Sequence, residues 1–444
     1  RSSAASDVYK RQINNTVNAS LGSASPNSFD PGMYSQFEKN FNVDLSYPID
    51  IGLASDLNIA GGFEWRDEEF EIGIGDEASY TVGPLADQGF SAASNGFPGF
   101  GPLAQGDWSR SNIAAYIDLE ADVTENWLLA AAVRWEDFDD FGTTTNYKIA
   151  THFQATDWMG LRATYSTGFR APTPGQSNAY NVSTEFNLAT GDLENNGTIP
   201  SNTAVAALRG GKALDPEEST NYTFGGIFQF GDFSVTIDYF NIELTDRLGV
   251  SQNFVLTPEE IEALIEAGVA GANSLSTFRF FTNGIETETD GIDVVATYSL
   301  DSSIGITDFN LAYNKTNTDV TKADPSIIDD VRVQEMEEAL PETRWNLSAS
   351  HTMDNWRFMA RYSYFDDWYD SEDTETYDGY GVFDAEVGYT FDMGVSLIVG
   401  ANNLTDETPD ENPNAAAGVG NQYSQWSPGG FNGQFIYTRL IYDF

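Results

Sequence analysis

Residues Gln434 to Phe444 read QFIYTRLIYDF, and this closing stretch decides the fold. Side chains alternate along an extended chain. Ile436, Thr438, Leu440, Tyr442 and Phe444 therefore share one face, and Phe435, Tyr437, Arg439, Ile441 and Asp443 the other. On a soluble sheet a terminal strand this apolar would be an edge open to aggregation. In a closed membrane barrel the last strand pairs with the first and one face meets lipid. A terminal aromatic residue fits the second setting.

The same alternation recurs upstream. Ile113, Ala115, Ile117, Leu119 and Ala121 oppose Tyr116, Asp118, Glu120 and Asp122. Phe233, Val235, Ile237 and Tyr239 oppose Asp232, Ser234, Thr236 and Asp238, and Phe383, Ala385, Val387, Tyr389 and Phe391 oppose Asp384 and Glu386. Helical spacing is absent from these windows. The pattern predicts about fifteen strands of roughly 9 to 14 residues, running from Phe41–Pro48 and Leu57–Phe70 to Gly394–Asn403 and Phe431–Phe444, with a weaker strand in Ile13–Leu21.

The connections alternate too. Tight turns fall at Thr124–Asn126, Thr156–Asp157, Gly231–Asp232, Met353–Asn355 and Asp392–Met393. Between them lie long stretches at Gly73–Arg110, Arg170–Glu218, Asp246–Thr287, Asn317–Pro341 and Thr405–Gly430. Short turns at one rim and long loops at the other describe an outer-membrane barrel, and a β-sandwich has no such parity. One helix is predicted inside a loop: Thr257 caps it, Pro258 and two glutamates open it, Ile261, Leu264 and Ile265 form its apolar stripe, and Gly268 ends it. Trp65, Trp127, Trp135, Trp158, Trp345, Trp356 and Trp368 sit near strand ends, as the aromatic girdles of a barrel require.

Composition sets the outer bounds. The chain has 444 residues, 41% hydrophobic and 14% aromatic, without a run of the roughly 18 apolar residues a membrane helix needs. If it spans a membrane, it does so with strands. There is no Cys, which excludes disulfides and thiolate sites, and the 2 His leave little for a His-built metal site. A net charge of −47 argues against nucleic acid as a partner. That charge suits solubility in a salty habitat, or the capture of cations in acidic loops. Residues 1–12 (RSSAASDVYKRQ) fit no strand pattern and have the look of translated adapter sequence. They are set aside as a non-native leader, with residues 13–444 as one barrel domain. No signal peptide is visible.

Several segments resemble the barrel of TonB-dependent outer-membrane receptors. Ala163–Thr173 (ATYSTGFRAPT) resembles their Gly-Phe-Arg-Ala-Pro strand-to-loop segment, and Leu214–Phe224 (LDPEESTNYTF) their Pro-Glu-Glu-Ser entry into the next strand. Phe280–Tyr298 (FFTNGIETETDGIDVVATY) and Val399–Pro409 (VGANNLTDETP) are similar to two further motifs, and Phe444 completes the set. The resemblance implies an all-β, transmembrane antiparallel barrel with long extracellular loops, of which this chain carries about 15–16 of some 22 strands. Signal peptide, TonB box, plug and first strands are not visible in it. It further implies a bacterial outer-membrane active transporter. Its partners would be the inner-membrane TonB complex, outer-membrane lipid and an extracellular ligand: a siderophore–iron complex, a cobalamin or an oligosaccharide. A passive porin-like channel is the alternative, and a secreted all-β cation-binding surface protein a third.

No catalytic constellation is present. His152 and His351 stand alone on strands, and no Walker-type or dinucleotide loop occurs. The chain is read as no enzyme, with no cofactor and no metal. The acidic stretch Asp366–Asp378 (DDWYDSEDTETYD) offers oxygen ligands for Ca²⁺ but lacks the spacing and Gly of an EF-hand, so a solvated loop is favoured. By parity Arg66, Arg134, Arg162, Arg357, Arg361 and Arg439 point into the lumen with Glu64, Glu136, Asp238, Asp384 and Glu386. They either guide a charged ligand or form cross-strand ion pairs. The ligand-contact candidates are Arg134, Arg162 and Arg170 with the loop aromatics Trp108, Tyr180, Trp368, Tyr369, Tyr423 and Trp426. Those aromatics either stack on a ligand or pack the loops together.

Overall fold

The computed structural model describes all of the chain except residues 1, 11–12, 15, 89, 103, 179, 188–191, 267–274, 416–419 and 443–444. Sixteen strands form one antiparallel sheet, each paired with its neighbours in chain order. The first half comprises β1 (Ser2–Lys10), β2 (Met33–Ile49), β3 (Leu57–Gly73), β4 (Gly106–Thr124), β5 (Trp127–Phe138), β6 (Gly142–Thr156), β7 (Met159–Arg170) and β8 (Glu217–Phe230). The second comprises β9 (Phe233–Val250), β10 (Phe281–Ser302), β11 (Gly305–Lys322), β12 (Thr343–Met353), β13 (Trp356–Phe365), β14 (Tyr380–Thr390), β15 (Val395–Asn402) and β16 (Phe435–Tyr442).

Among the described residues β1 pairs only with β2 and β16 only with β15. Within the sheet every ladder satisfies backbone donors and acceptors internally, which a hydrocarbon setting demands. The closing Phe444 and Asp443 lie outside the described residues. Ser2–Lys10, set aside in the sequence reading, pairs along its length with Met33–Phe41.

The two faces differ in chemistry. One carries exposed large apolar side chains, among them Phe63 on β3, Ile117 on β4, Ile149 on β6, Phe224 on β8, Leu347 on β12 and Phe358 on β13. A band of this extent has no place on a water-facing wall; on a membrane strand it is the lipid face. Trp127, Trp158 and Trp356 sit beside tight turns at one rim and are all about two-fifths exposed. Trp158 stacks on Phe230 at 5.0 Å, and Trp356 meets Tyr389 edge-on at 4.8 Å. That row of rings marks one membrane interface.

Turn–loop parity holds with one exception. The connection between β5 and β6 is the short segment Asp139–Phe141, although it lies at the long-loop rim. It is held tightly: Phe138 and Phe141 stack at 4.5 Å, and Asp139 Oδ2 accepts from both the backbone N and Oγ of Ser111. The weaker strand expected over Ile13–Leu21 is corrected. Only Ile13–Asn14 is extended, and Ala19–Ala24 is a 3-10 turn containing Gly22 at φ 57°. Buried Asn18 decides this, because its Nδ2 donates to the carbonyls of Ala78 and Thr81 and anchors the segment under the β3–β4 loop.

The long loops fold on themselves. Strands Asn181–Asn187, Asp192–Thr198, Leu275–Arg279 and Phe254–Val255 make a second, four-stranded sheet from the β7–β8 and β9–β10 connections. Its core is built on Ile199, Phe254, Leu264, Leu275, Phe278 and Phe280. Leu264 comes from the expected helix, Pro258–Glu266, which opens with a reciprocal cap: Glu260 N donates to Thr257 Oγ1 and Thr257 N to Glu260 Oε2. The expected stop at Gly268 lies outside the described residues. A second helix, Asp330–Glu338, was not expected from sequence. Its N-cap Asp329 accepts from Arg332 N at 3.0 Å.

Candidate ligand-binding site

The inner wall is a ladder of paired charges. Arg134 on β5 donates to Glu64 on β3 at 3.1 Å and to Glu136 at 2.7 Å, and Asn112 donates to the other Glu136 oxygen. Arg66 donates to Asn112 at 3.3 Å. Arg162 on β7 grips Asp238 on β9 through Nε at 2.7 Å and through Nη2. Arg361 on β13 donates twice to Asp384 on β14, while Arg357 and the Tyr437 hydroxyl both donate to Glu386. Arg439 lies over the Tyr437 ring at 5.6 Å. Both lumen arginines singled out from sequence, Arg134 and Arg162, are thus tied to wall carboxylates. Such pairs in a wet lumen contribute modestly to stability and mainly fix the side chains in place.

Two of the aromatic candidates are brought together. Trp108 and Tyr180 pack on one cluster with Tyr34, Phe70, Phe97 and Phe100. Tyr34, Phe70 and Trp108 stand on adjacent strands, with ring centroids 5.8 and 6.1 Å apart. The Tyr34 hydroxyl donates to the Tyr180 carbonyl at 2.8 Å. Burial raises the Tyr180 phenol above its usual range. The period-2 pattern places Trp108 on the inner face; its neighbours make it a packing residue.

A second group gathers where the β13–β14 and β15–β16 loops meet. Trp368 is 1% exposed, Tyr369 5%. Trp368 stacks on Tyr377 at 5.3 Å. Tyr423 stacks on Phe431 at 6.4 Å, whereas Trp426 is 60% exposed. Polar bonds join the loops. Ser424 Oγ donates to Asp370 at 2.6 Å, Asn412 Nδ2 to Asp373 at 2.8 Å, and Gly429 N to the Tyr380 hydroxyl at 2.9 Å. Burial raises the Asp373 carboxyl above its usual range, and neighbouring Asp370 adds to this. Burial and Asp373 together push the Tyr377 phenol well up. Among the described residues no group of three or more His, Asp or Glu is placed to hold a metal ion.

Arg170 stands apart from these groups, at the loop end of β7. It binds Glu217, the first residue of β8, at 2.7 Å. Sequence reasoning missed Arg247, whose Nη1 donates to Thr287 Oγ1 at 3.2 Å, because that arginine lies between two register shifts in β9 where alternation gives no guide. It also missed Arg110, which is buried against Glu68 and the Pro172 carbonyl, under the rings of Phe138 and Phe141. Arg110 thereby fixes the Ala171–Thr173 end of the Gly-Phe-Arg-Ala-Pro segment.

Comparisons with known proteins agree with this geometry. The family described as TonB dependent receptor-like, beta-barrel matches residues 2–404. The vitamin B12 transporter BtuB of Vibrio cholerae is 25% identical over 227 residues, 50% of this chain and 28% of the relative. A probable TonB-dependent siderophore receptor, PirA of Acinetobacter baumannii, is 25% identical over 236 residues, 52% and 28% respectively. The crystal structure of that siderophore receptor superposes with a TM-score of 0.63 at 15% identity, covering 99% of this chain and 59% of the other. The ferric enterobactin receptor of Pseudomonas aeruginosa gives 0.62 at 13%, with the same coverage. The chain therefore spans less than two thirds of the length of these relatives.

Proposed function

Because the chain belongs to the TonB-dependent receptor family, in its β-barrel part, we propose that it serves TonB-energised uptake of a scarce solute too large for porins. Members of this family are outer-membrane transporters and receptors rather than enzymes, and this chain is an outer-membrane barrel of that kind. The solute is a siderophore–iron complex, a cobalamin or an oligosaccharide, captured by the extracellular loops and passed along the charged lumen wall. TonB of the inner membrane supplies the energy, with the capture segments of residues 13–444 as its outer end.

The observation that carries this reading is the contrast between the two faces. Wall arginines and carboxylates line the inside, from Glu64 through Arg162 to Glu386, while the outside is apolar. A polar wall guides a hydrated solute. Above it, the Arg170–Glu217 pair and the exposed Trp426 are the site residues best placed to meet a ligand first.

The test is uptake by a receptor-deficient strain expressing the source gene, with and without functional TonB, for labelled iron–siderophore, cobalamin and oligosaccharide. Accumulation of one solute that disappears without TonB supports the reading. Entry that persists without TonB makes the protein a passive channel instead.

A further inference from the structure

We propose that a furrow on the outer face of β12–β15 binds one phospholipid of the periplasmic leaflet, with an acyl chain in the furrow and the phosphodiester at His351. The strand register builds the furrow. Ala349, Ala360, Ala385 and Ala401 stand directly opposite one another across four consecutive strands. The row on the loop side is Leu347, Tyr362 and Phe383, and the row on the turn side is His351, Phe358, Val387 and Val399. Leu347, Tyr362, Phe358 and Val399 are 37–47% exposed, whereas Ala401 is 6% exposed. A trough of small side chains thus runs between two ridges of large ones. It holds about 590 Å³, and its wall is almost wholly apolar.

The trough has a direction. Ala349 and Ala360 lie four residues from Met353 and Trp356, the strand ends at the tight turn, while Ala385 lies five from Thr390 and Ala401 six from Val395. It therefore starts low on β12, near the periplasmic rim, and climbs into the membrane toward β15. Three strand spacings give it a length of about 14 Å. His351 stands at the low end, beside the rings of that rim. Its ring centroid is 6.4 Å from that of Phe358, which stacks on Trp356 at 6.0 Å. Such a ring row lies at headgroup depth. The Thr307 hydroxyl on β11 is 2.8 Å from His351 Nδ1. When that hydroxyl donates to Nδ1, the neutral ring carries its proton on Nε2. Nε2 has no protein partner among the described residues, and His351 is part of the trough wall.

An apolar lining alone selects nothing here, because lipid tails cover the whole outer face and are as apolar as the wall. Shape and one polar end single this place out. A chain lying between two ridges gains dispersion contacts on three sides, which a convex wall cannot offer. At the low end Nε2–H faces the depth of the phosphates, and a hydrogen bond to a charged acceptor is stronger than one between neutral groups. A phospholipid carries both parts on one molecule, which neither a free anion nor a bare hydrocarbon does.

This inference goes beyond the uptake reading, and its test needs no transport. The 444-residue chain, folded in detergent, is titrated with dioleoyl phosphatidylglycerol and followed by native mass spectrometry, with dioleoylglycerol as the probe that lacks a headgroup. One phospholipid should persist at collision energies that strip the others. Ala385→Phe fills the middle of the trough and should abolish that retention, while Ala131→Phe, on the outer face of β5, should leave it unchanged. His351→Phe keeps a ring but removes the donor, and should weaken binding about tenfold. Circular dichroism checks that each variant is folded. Adducts shed evenly with none preferred, wild-type retention in Ala385→Phe, unchanged affinity in His351→Phe, or equal affinity for dioleoylglycerol overturns the proposal. A dimer of the chain that Ala385→Phe dissolves would make a second copy the occupant and overturn it as well.

Discussion

Arg162 on β7 holds Asp238 two strands away on β9, and the bond passes over Gly225 on the strand between them. Gly225 faces both residues in register, and a Cβ built there would sit 1.9 Å from Asp238 Oδ1. The same device recurs at Gly400, over which the Tyr437 hydroxyl reaches Glu386 at 2.9 Å. A missing side chain on a middle strand lets its two neighbours meet.

Gly225→Ala should therefore part Arg162 from Asp238 and cost about 1–3 kcal/mol, the range for overpacking. Urea unfolding of the detergent-folded chain measures it. The double variant with Asp238→Ala should be clearly less than additive, because the single changes disrupt the same bond. Additive costs would mean that Gly225 acts elsewhere.

Asp384 offers a comparison within one residue. Arg361 donates twice to its Oδ2, at 2.9 and 2.6 Å, while Oδ1 accepts Asn403 N at 2.8 Å. Asp384→Asn keeps an acceptor for Asn403 and leaves an arginine already 48% exposed to be hydrated. Asp384→Ala leaves the Asn403 amide without its partner, a loss of about 1–3 kcal/mol for a buried donor. The alanine variant should unfold at lower urea than the asparagine variant. The reverse order would show that the ion pair dominates.

The two loop tryptophans should separate cleanly. Trp368→Ala removes a side chain 1% exposed and opens the Asp366–Gly379 loop to protease, at a local cost of about 3–5 kcal/mol. Trp426→Ala, at 60% exposure, should leave stability within about 0.5 kcal/mol of wild type. If Trp426 contacts the solute, its loss shows in uptake and not in unfolding.

Acid should tighten the same loops. The Asp373 carboxyl is raised from 3.8, first by burial and then by Asp370, so the folded state binds its proton more firmly than the unfolded state does. Stability is then highest below the unfolded value and falls as pH rises through the raised folded one. Hydrogen exchange of residues 366–379, corrected for intrinsic rates, should slow from pH 7 to pH 4. Asp373→Asn should show the slow behaviour already at pH 7. Exchange that speeds up on acidification would contradict this.

Much of the architecture was legible from residues alone. The alternation of Ile113 to Asp122 assigned faces that the structure reproduces, with Ala114 buried inside and Ile113 and Ile117 exposed outside. Thr257 and Glu260 announced a helix start that is present as a reciprocal cap. The site was harder to read. Trp108, Trp368 and Tyr369 carry the composition of ligand-stacking aromatics, yet Trp108 packs among Tyr34, Phe70 and Tyr180, Trp368 packs among Tyr377 and Tyr380, and Tyr369 is buried. Arg247 went unnoticed because its bulge breaks the period on which the reading relied.

From Met33 onward the sequence by itself determined the sheet strands, their two faces and, apart from the short Asp139–Phe141 connection, the rims at which turns and loops fall. These follow from a period of two residues and from turn chemistry, both written within a few positions of the chain. Only the tertiary structure decided that Arg162 meets Asp238 across Gly225 and that Arg170 binds Glu217. The same holds for the β13–β14 and β15–β16 loops, which lock through Asp370 and Ser424. Those contacts depend on which strands lie two apart and how long loops fold back, and no local pattern encodes a distance in space.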